Sequence, residues 1–374
     1  MKIYQIIQGI NNPSAGTTHS VGHLSHNLAL LKHDVTVMAL GGRPSQWPYN
    51  STLQVFDGLS VRFGLAPWAA IRSVQQSVQD SASVLHGHGV WRVANLFPLA
   101  INTNTAGKLV WSPRGMFAQW SLHYKAARKA AFWSLLQQPA LRRVDGFHAT
   151  APSEVDDIRK LGFRQPIALI PNAVDVPGLP PSSHRTKTIV FLGRVHEVKG
   201  LHLLVPVWAQ LADHFPDWEL VIAGKIDSSY ARSIVKLAQD LDAKRLKFVG
   251  EVLDETKSTL LSTCRLFVLP SFSENFGIVI AEALAHAVPV ITTLETPWTT
   301  LAQRGCGWTI APNGAELKEA LRTALGQSES SLEGMGVIGR KWIEEEFAWK
   351  RVASMFEAYY QWLHGGGQKP SCVY

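Results

Sequence analysis

The sequence has little charge. Only 17% of its 374 residues are Asp, Glu, Lys or Arg, while 46% are apolar. That balance excludes a disordered chain, which needs low hydropathy and high net charge, and at roughly 100–200 residues per domain the length suits two domains. Long hydrophobic runs are missing as well: no stretch reaches the ~18 consecutive apolar residues of a membrane-spanning helix. The opening Met1-Lys2-Ile3-Tyr4-Gln5-Ile6-Ile7 reads as a short strand rather than a secretory leader, so a cytoplasmic protein is expected. Cysteine is scarce. Cys264, Cys306 and Cys372 share no C-x-x-C spacing and leave an odd count, which fits isolated thiols in a reducing compartment.

Two nucleotide-binding signatures are also absent. Neither G-x-G-x-x-G nor G-x-x-x-x-G-K-[ST] occurs, so an alternating strand and helix pattern here does not signal NAD binding or ATP hydrolysis. Metal sites are not expected either. Asp240-Leu241-Asp242, the one paired-Asp spacing considered for a metal, reads as a surface helix end, and His86-Gly87-His88 has no third ligand at suitable spacing.

Acidic residues are missing between Asp80 and Asp145, where Arg92, Lys108, Arg114, Lys125, Arg128, Lys129, Arg142 and Arg143 accompany Trp91, Trp111, Trp120 and Trp133. Residues 1–180 hold 16 basic and 8 acidic side chains and residues 181–374 hold 20 and 21, so the formal +7 is entirely N-terminal. A basic, aromatic segment suits nucleic acid, an anionic membrane or a phosphorylated substrate. Lys125, Arg128 and Lys129 share one helical face by their spacing, with Phe132 and Trp133 following. The plain reading is a solvated basic face; the sharper one is contact with an anionic inner-membrane surface or the diphosphate of a lipid-linked acceptor. No nucleic-acid motif accompanies the charge, so nucleic acid is not expected as a partner.

Short apolar strands alternate with helices, the pattern of parallel sheets covered by helices. Ile3–Gln8, Val35–Leu40, Val84–His86, Leu109–Trp111, Gly146–Ala149 and Ile167–Ile170 form a first series; Thr188–Leu192, Glu219–Ala223, Leu246–Val249, Leu266–Leu269 and Val290–Thr292 form a second. The proline-rich stretch from Pro171 to Ser183 separates them. The expected domains are residues 1–178 and 179–345. A helix over 346–364, too aromatic for a solvated tail, is expected to pack back on the first domain, and 365–374 to be mobile.

Two segments of the second series are shaped for phosphate. In Phe191-Leu192-Gly193-Arg194-Val195-His196-Glu197-Val198-Lys199-Gly200-Leu201 a buried strand ends at Gly193, and a helix begins near Gly200. Arg194 and Lys199 stand between them, and charge-assisted bonds from such cations to phosphate are worth ~1.5–3 kcal/mol each. The second segment runs from Ser271 to Ala285. Here Ser273 or Glu274 is expected to cap a buried helix, with the Asn275, Phe276 and Gly277 amides directed at whatever precedes it. Glu282 then lies roughly two turns, at ~3.6 residues each, into that helix. Its carboxylate needs donors, from ligand hydroxyls or a nearby Arg or Lys.

Together these segments resemble the family-four group of glycosyltransferases. The likeness rests on the glycine-arginine loop ending in Lys199-Gly200, on Glu274 and Glu282 with seven residues between them, and on Pro289-Val290-Ile291. Pro171-Asn172-Ala173-Val174-Asp175 is similar to the family's interdomain segment, with Ala173 where Gly is usual. Leu85-His86-Gly87-His88-Gly89-Val90-Trp91, Trp111-Ser112-Pro113-Arg114-Gly115-Met116 and Phe147-His148-Ala149-Thr150 resemble a subgroup that builds surface polysaccharides.

The resemblance implies an α/β GT-B fold, two Rossmann-like domains facing a central cleft. It also implies retaining, metal-independent transfer from a nucleotide sugar, in bacterial surface polysaccharide or lipopolysaccharide (O-antigen) synthesis at the inner face of the membrane. Arg194 and Lys199 would hold the diphosphate beside Gly193, and Glu274 the donor sugar. The amides of Asn275, Phe276, Gly277 and Ile278 would orient that sugar, Glu282 would take the ribose hydroxyls, and Val249 and Gly250 would lie near a base taken here as uracil ahead of guanine. His88 and Arg114, at strand ends facing the cleft, and Gly16 in the first loop are the candidates for a saccharide or polyprenyl-diphosphate-linked acceptor. For His88 a packed structural role competes, and Gly16 departs from the usual paired glycines. A nucleotide-sugar epimerase and a noncatalytic sugar-nucleotide or lipid-carrier module are the alternatives.

Overall fold

The computed structural model describes residues 1–10, 16–39, 47–55, 83–91, 95–96, 107–117, 132–178 and 184–374. Lys125, Arg128 and Lys129, expected on one helical face, lie outside the described residues. The chain forms two compact units, one made of Met1–Ala173 with Trp349–Tyr374 and the other of Val174–Ala348. The divisions thus fall at 173/174 and 348/349, whereas the proline-rich stretch and the helical pattern suggested 178 and 345.

The first unit is built on seven strands, β1 Lys2–Ile7, β2 Asp34–Ala39, β3 Thr52–Val55, β4 Ser83–His88, β5 Lys108–Ser112, β6 Gly146–Ala149 and β7 Ile167–Leu169, in the order β3-β2-β1-β4-β5-β6-β7. All pair in parallel. Every residue of β4 and β6 is buried, as expected when both faces of a parallel sheet are covered. Register sets Gln5 beside His86, and His88 beside Ser112.

The helix Trp349–Leu363 completes this unit. Its buried residues Trp349, Val352, Ala353, Phe356, Tyr359 and Tyr360 recur at helical spacing. They pack with Leu24 and Leu28 of the helix Gly16–Leu30 and with Ile3, Val84 and Val110 of the sheet. The last residues do not behave as their glycines suggested. Instead of hanging free, Val373 is buried and bridges Ala168, the Leu169 N–H donates to the Cys372 carbonyl at 2.8 Å, and the Tyr374 N–H donates to that of Ile167 at 2.8 Å. The edge of β7 offers unpaired backbone groups, and the tail takes them up.

The second unit carries β8 Thr188–Leu192, β9 Glu219–Ala223, β10 Leu246–Gly250, β11 Leu266–Leu269, β12 Val290–Thr293 and β13 Gly307–Ile310, parallel and ordered β10-β9-β8-β11-β12-β13. Its core joins these strands to the helices around them through Phe191, Leu204, Trp208, Phe267, Leu284 and Trp342. Sequence reading omitted β3 and β13. Both are short edge strands with incomplete burial, so neither shows the continuous apolar run of the central strands. The Asp240-Leu241-Asp242 segment is a helix end: the helix Ser229–Asp240 stops there and Asp242 turns left-handed.

Candidate functional site

In each sheet the strand order reverses once, between β1 and β4 in the first unit and between β8 and β11 in the second. Loops leaving the carboxyl ends of two such strands part in opposite directions and leave a crevice, where doubly wound sheets take their ligands. The loops after β8 and β11 are the two phosphate-shaped segments.

These loops interlock. The Phe272 N–H donates to the Val198 carbonyl at 2.7 Å. Gly200, left-handed at φ 71°, lies so close to the other loop that a Cβ would fall 2.1 Å from the Pro270 carbonyl oxygen. The Lys199 ammonium is thereby brought onto Oε1 of Glu274, and the Ser271 hydroxyl donates to the same oxygen at 2.7 Å. Both charged side chains are largely buried, 14% and 11% exposed. Arg194, by contrast, is exposed and makes no hydrogen bond or ion pair among the described residues.

The helix Ile278–Ala285 starts differently from expectation. Its N-cap is Gly277, left-handed at φ 73°, and no side chain caps it. Ser273 and Glu274 do not cap it; the Glu274 carboxylate is held by Lys199 and Ser271 instead. The open amino end of this helix leaves first-turn N–H groups and a partial positive charge available to an anion. Beneath it, Phe276 is buried edge-on to Trp298 at 5.4 Å, and the Trp298 indole N–H donates to the Phe276 carbonyl.

Because the helix begins at Ile278, Glu282 lies about one turn in, not two. Its carboxylate accepts from the Lys257 ammonium at 2.6 Å, so the protein supplies a cation partner. Burial still raises the Glu282 pKa, against the opposing pull of Lys257. The loops after β8, β9 and β10 approach backbone to backbone: the Gly193 N–H donates to the Ala223 carbonyl, and the Gly224 N–H to that of Gly250 at 2.7 Å. Val249 is exposed beside Gly250, where the β10 register is irregular.

In the first unit His88 ends β4 and Arg114 follows β5. Arg114 adopts φ 58°, a left-handed conformation costly for a side chain with a Cβ. It is over-determined by its neighbours. The guanidinium donates to Asn172 Oδ1 at 2.9 Å and to His88 Nδ1 at 3.2 Å, and the next residue's N–H donates to buried Glu154 at 2.6 Å. His88 is 3% exposed and its Nε2 is bonded to Gln5 Oε1 at 2.7 Å, so both ring nitrogens are committed. Of the two roles expected for His88, the packed one is the one seen here: its imidazole supports Arg114. Gly16 opens the helix Gly16–Leu30; residues 11–15 of its loop lie outside the described residues. Trp133 packs inward against Trp91 and Phe117, both at 5.5 Å.

Consecutive parts of the chain match two family descriptions, "Glycosyl transferase 4-like domain" over residues 15–173 and "Glycosyl transferases group 1" over residues 180–342. The chain belongs to the family-four type of GT-B glycosyltransferases.

The chain is 29% identical over 209 residues to a phosphatidyl-myo-inositol mannosyltransferase of Mycolicibacterium smegmatis, a match covering 54% of the chain and 53% of the relative. The chain thus spans about half the length of the curated relatives it matches. Its fold is similar to that of sucrose-phosphate synthase from Thermosynechococcus elongatus, with TM-score 0.76, 20% identity and coverage of 98% and 99% of the two chains. It is also similar to Anabaena HepE in complex with UDP and glucose, with TM-score 0.73, 16% identity and coverage of 96% and 98%. The α/β architecture of two Rossmann-like units is the expected one.

Several side chains around these sites were not foreseen. Ser271 and Lys257 serve the second unit, and Gln5, Ser112, Glu154, Asn172 and Tyr360 the first. A polar Gln5 within the apolar run of β1 was a readable signal; Tyr360, inside an aromatic helix, gave none.

Proposed function

We propose that this glycosyltransferase moves a hexosyl residue, with retention at the anomeric carbon, from a nucleoside-diphosphate sugar to a saccharide or polyprenyl-diphosphate-linked acceptor. The observation that carries this reading is the meeting of Lys199 and Glu274 at the switch point of the second sheet, beside an uncapped helix start and the unpaired Arg194. Two cations and a helix amino end meet the charge that develops on a leaving diphosphate, where preorganised donors are worth ~2.7–4 kcal/mol apiece in the transition state. A hexose hydroxyl at Glu274 replaces part of what Lys199 now supplies.

In the proposed step the bond from the anomeric carbon to phosphate breaks, the acceptor oxygen bonds that carbon on the same face, and the hydroxyl proton passes to the departing phosphate. Arg194 and Lys199 take the neutralising role, so a metal is not required. Glu282 faces the ribose hydroxyls, and Val249 with Gly250 the base. HepE, which holds UDP and glucose, supports uridine as that base, whereas the mannosyltransferase relatives support mannose as the sugar. A lipid acceptor, the phosphatidyl-myo-inositol for which those mannosyltransferases are named, agrees with a cytoplasmic enzyme working at an anionic membrane through Lys125, Arg128 and Lys129 in bacterial surface polysaccharide synthesis.

The test is a melting series against UDP, GDP and a panel of their sugars, followed by transfer to acceptors and NMR of the product's anomeric configuration. Stabilisation by one nucleotide sugar and a retained configuration are expected. Stabilisation by none of them, or inversion, defeats the reading. Vesicle flotation tests the membrane part: equal binding to neutral and anionic vesicles, or none, defeats it.

A further inference from the structure

Behind Arg114 lies a line of buried polar groups whose hydrogen bonds admit a single direction. His86, His88, His148, Gln5, Ser112 and Tyr360 are all between 0% and 3% exposed. One end is fixed by the Ile170 carbonyl, which only accepts: His148 Nε2, 2.8 Å away, must carry a proton. Burial keeps His148 neutral, its pKa pulled down to about 3. Its Nδ1 is then an acceptor and takes the Ser112 hydroxyl proton at 2.6 Å.

The rest follows link by link. Ser112 has spent its proton, so His86 Nε2, 2.6 Å from the same oxygen, donates to it. His86 Nδ1 must accept, and the Tyr360 hydroxyl donates at 2.7 Å. Tyr360 in turn accepts from Gln5 Nε2 at 3.4 Å, and Gln5 Oε1 accepts from His88 Nε2 at 2.7 Å. That leaves a lone pair on His88 Nδ1, and the group facing it is the Arg114 guanidinium, which only donates. The two ends were assigned independently and agree. Reversing any one link sets two donors or two acceptors against each other in a dry core, where an unmade hydrogen bond costs ~1–3 kcal/mol.

We propose that Tyr360, on the C-terminal helix, is a positioning residue: its phenol donates to His86 Nδ1 and accepts from Gln5, joining the two separately fixed ends, so that Gln5 holds the His88 ring with its Nδ1 lone pair on Arg114. The significance for acceptor binding rests on Arg114 serving as the acceptor-site cation. Arg114 needs such a partner because its left-handed backbone alone does not fix its side chain, and a neutral acceptor on one edge leaves its remaining N–H groups and its charge for a ligand. Phe356, against the rings of His86 and His148, closes the line from water on the helix side.

The experiment is nitrogen-15 NMR of histidine-labelled full chain, between pH 6 and 8, for the wild type, Tyr360→Phe and Gln5→Glu. The wild type is expected to show neutral Nε2–H tautomers for His86, His88 and His148. Tyr360→Phe removes the donor to His86 Nδ1 and the acceptor for Gln5, so the His86 Nδ1 signal moves to that of an unbonded nitrogen and the His88 signals shift as Gln5 loosens, while His148 stays as it was. Gln5→Glu supplies a carboxylate that accepts from both sides, turns the Tyr360 proton toward itself and takes the donor away from His86 Nδ1, moving that signal in the same direction. In transfer assays Tyr360→Phe raises the acceptor KM at least fivefold and leaves the donor KM unchanged. Mixed tautomers in the wild type, or histidine signals unmoved by both substitutions, overturn the proposal whatever the activity. The expected signals in a chain that transfers no sugar uphold the tautomer assignment and reject the glycosyl-transfer reading instead.

Discussion

Lys199 and Glu274 stand seventy-five positions apart in sequence and share one carboxylate oxygen with the Ser271 hydroxyl. The pair keeps a cation and an anion side by side, mostly out of water, at the carboxyl ends of β8 and β11. Lys199→Ala and Glu274→Ala are each expected to lower kcat by roughly 10²–10³, the loss typical of one preorganised transition-state donor. Far-UV circular dichroism should stay unchanged in both. Near-normal turnover in either variant would remove this pair from the chemistry.

Gly200→Ala tests the close approach of the two loops. A Cβ there meets backbone, the Pro270 carbonyl oxygen at 2.1 Å, and no side chain can swing away to relieve it. Strain at a left-handed position adds about 1 kcal/mol or more. The substitution should lower the urea midpoint and weaken nucleotide binding together, as Lys199 moves off Glu274. Unchanged affinity measured by calorimetry would mean that the loops do not need this contact.

Lys257 and Glu282 form another partly buried pair of this unit, and the two partners differ in what their loss should do. Lys257→Met strands the Glu282 carboxylate and is expected to cost ~3–5 kcal/mol of stability. Glu282→Gln retains a hydrogen-bonding side chain; its effect should fall on nucleotide affinity, by about 10–100-fold for a charged bond to hydroxyls worth ~1.5–3 kcal/mol. Chemical denaturation of each variant alongside nucleotide titration separates the two outcomes.

Acid should unfold the first unit before any carboxylate effect is needed. Burial pulls His148 down to about 3 and holds His86 and His88 well below their ordinary 6.5, with the neighbouring histidines and Arg114 adding to the effect. Below 6.5 the unfolded chain takes up protons that the folded chain refuses, so stability rises with pH and is lost as pH falls from 6.5 toward the folded values. Three such groups give a slope of up to about 4 kcal/mol per pH unit. Denaturation midpoints between pH 7.5 and 4.5 check this. A flat profile, or loss confined below pH 4.5, would assign acid sensitivity elsewhere.

What could be read from the sequence was what lies close together in it. Gly193, Arg194, Lys199 and Gly200 belong to one loop and Glu274 and Gly277 to another, so chemistry and spacing are visible locally. Periodicity also exposed the central strands, because parallel sheets buried on both faces need continuous apolar runs. Partnerships across the fold were another matter. Lys257 and Glu282 lie on different helices, and His86 and Tyr360 are 274 positions apart; a residue type with a partner that distant carries no local signature. The docked tail was misread for a related reason. Its glycines describe the freedom of an isolated segment, while its placement is decided by the open edge of β7.

Trp349–Tyr374 belongs to a unit whose other residues all precede Val174. During synthesis, therefore, the second unit is complete as a continuous piece before the first can close. Until Trp349–Leu363 leaves the ribosome, Ile3, Leu24, Val84 and Val110 lack the apolar face that covers them, and His86 lacks its phenol. The unit that begins first closes only after the second is made, and a truncation before Trp349 would disable a unit built almost wholly from residues before Val174.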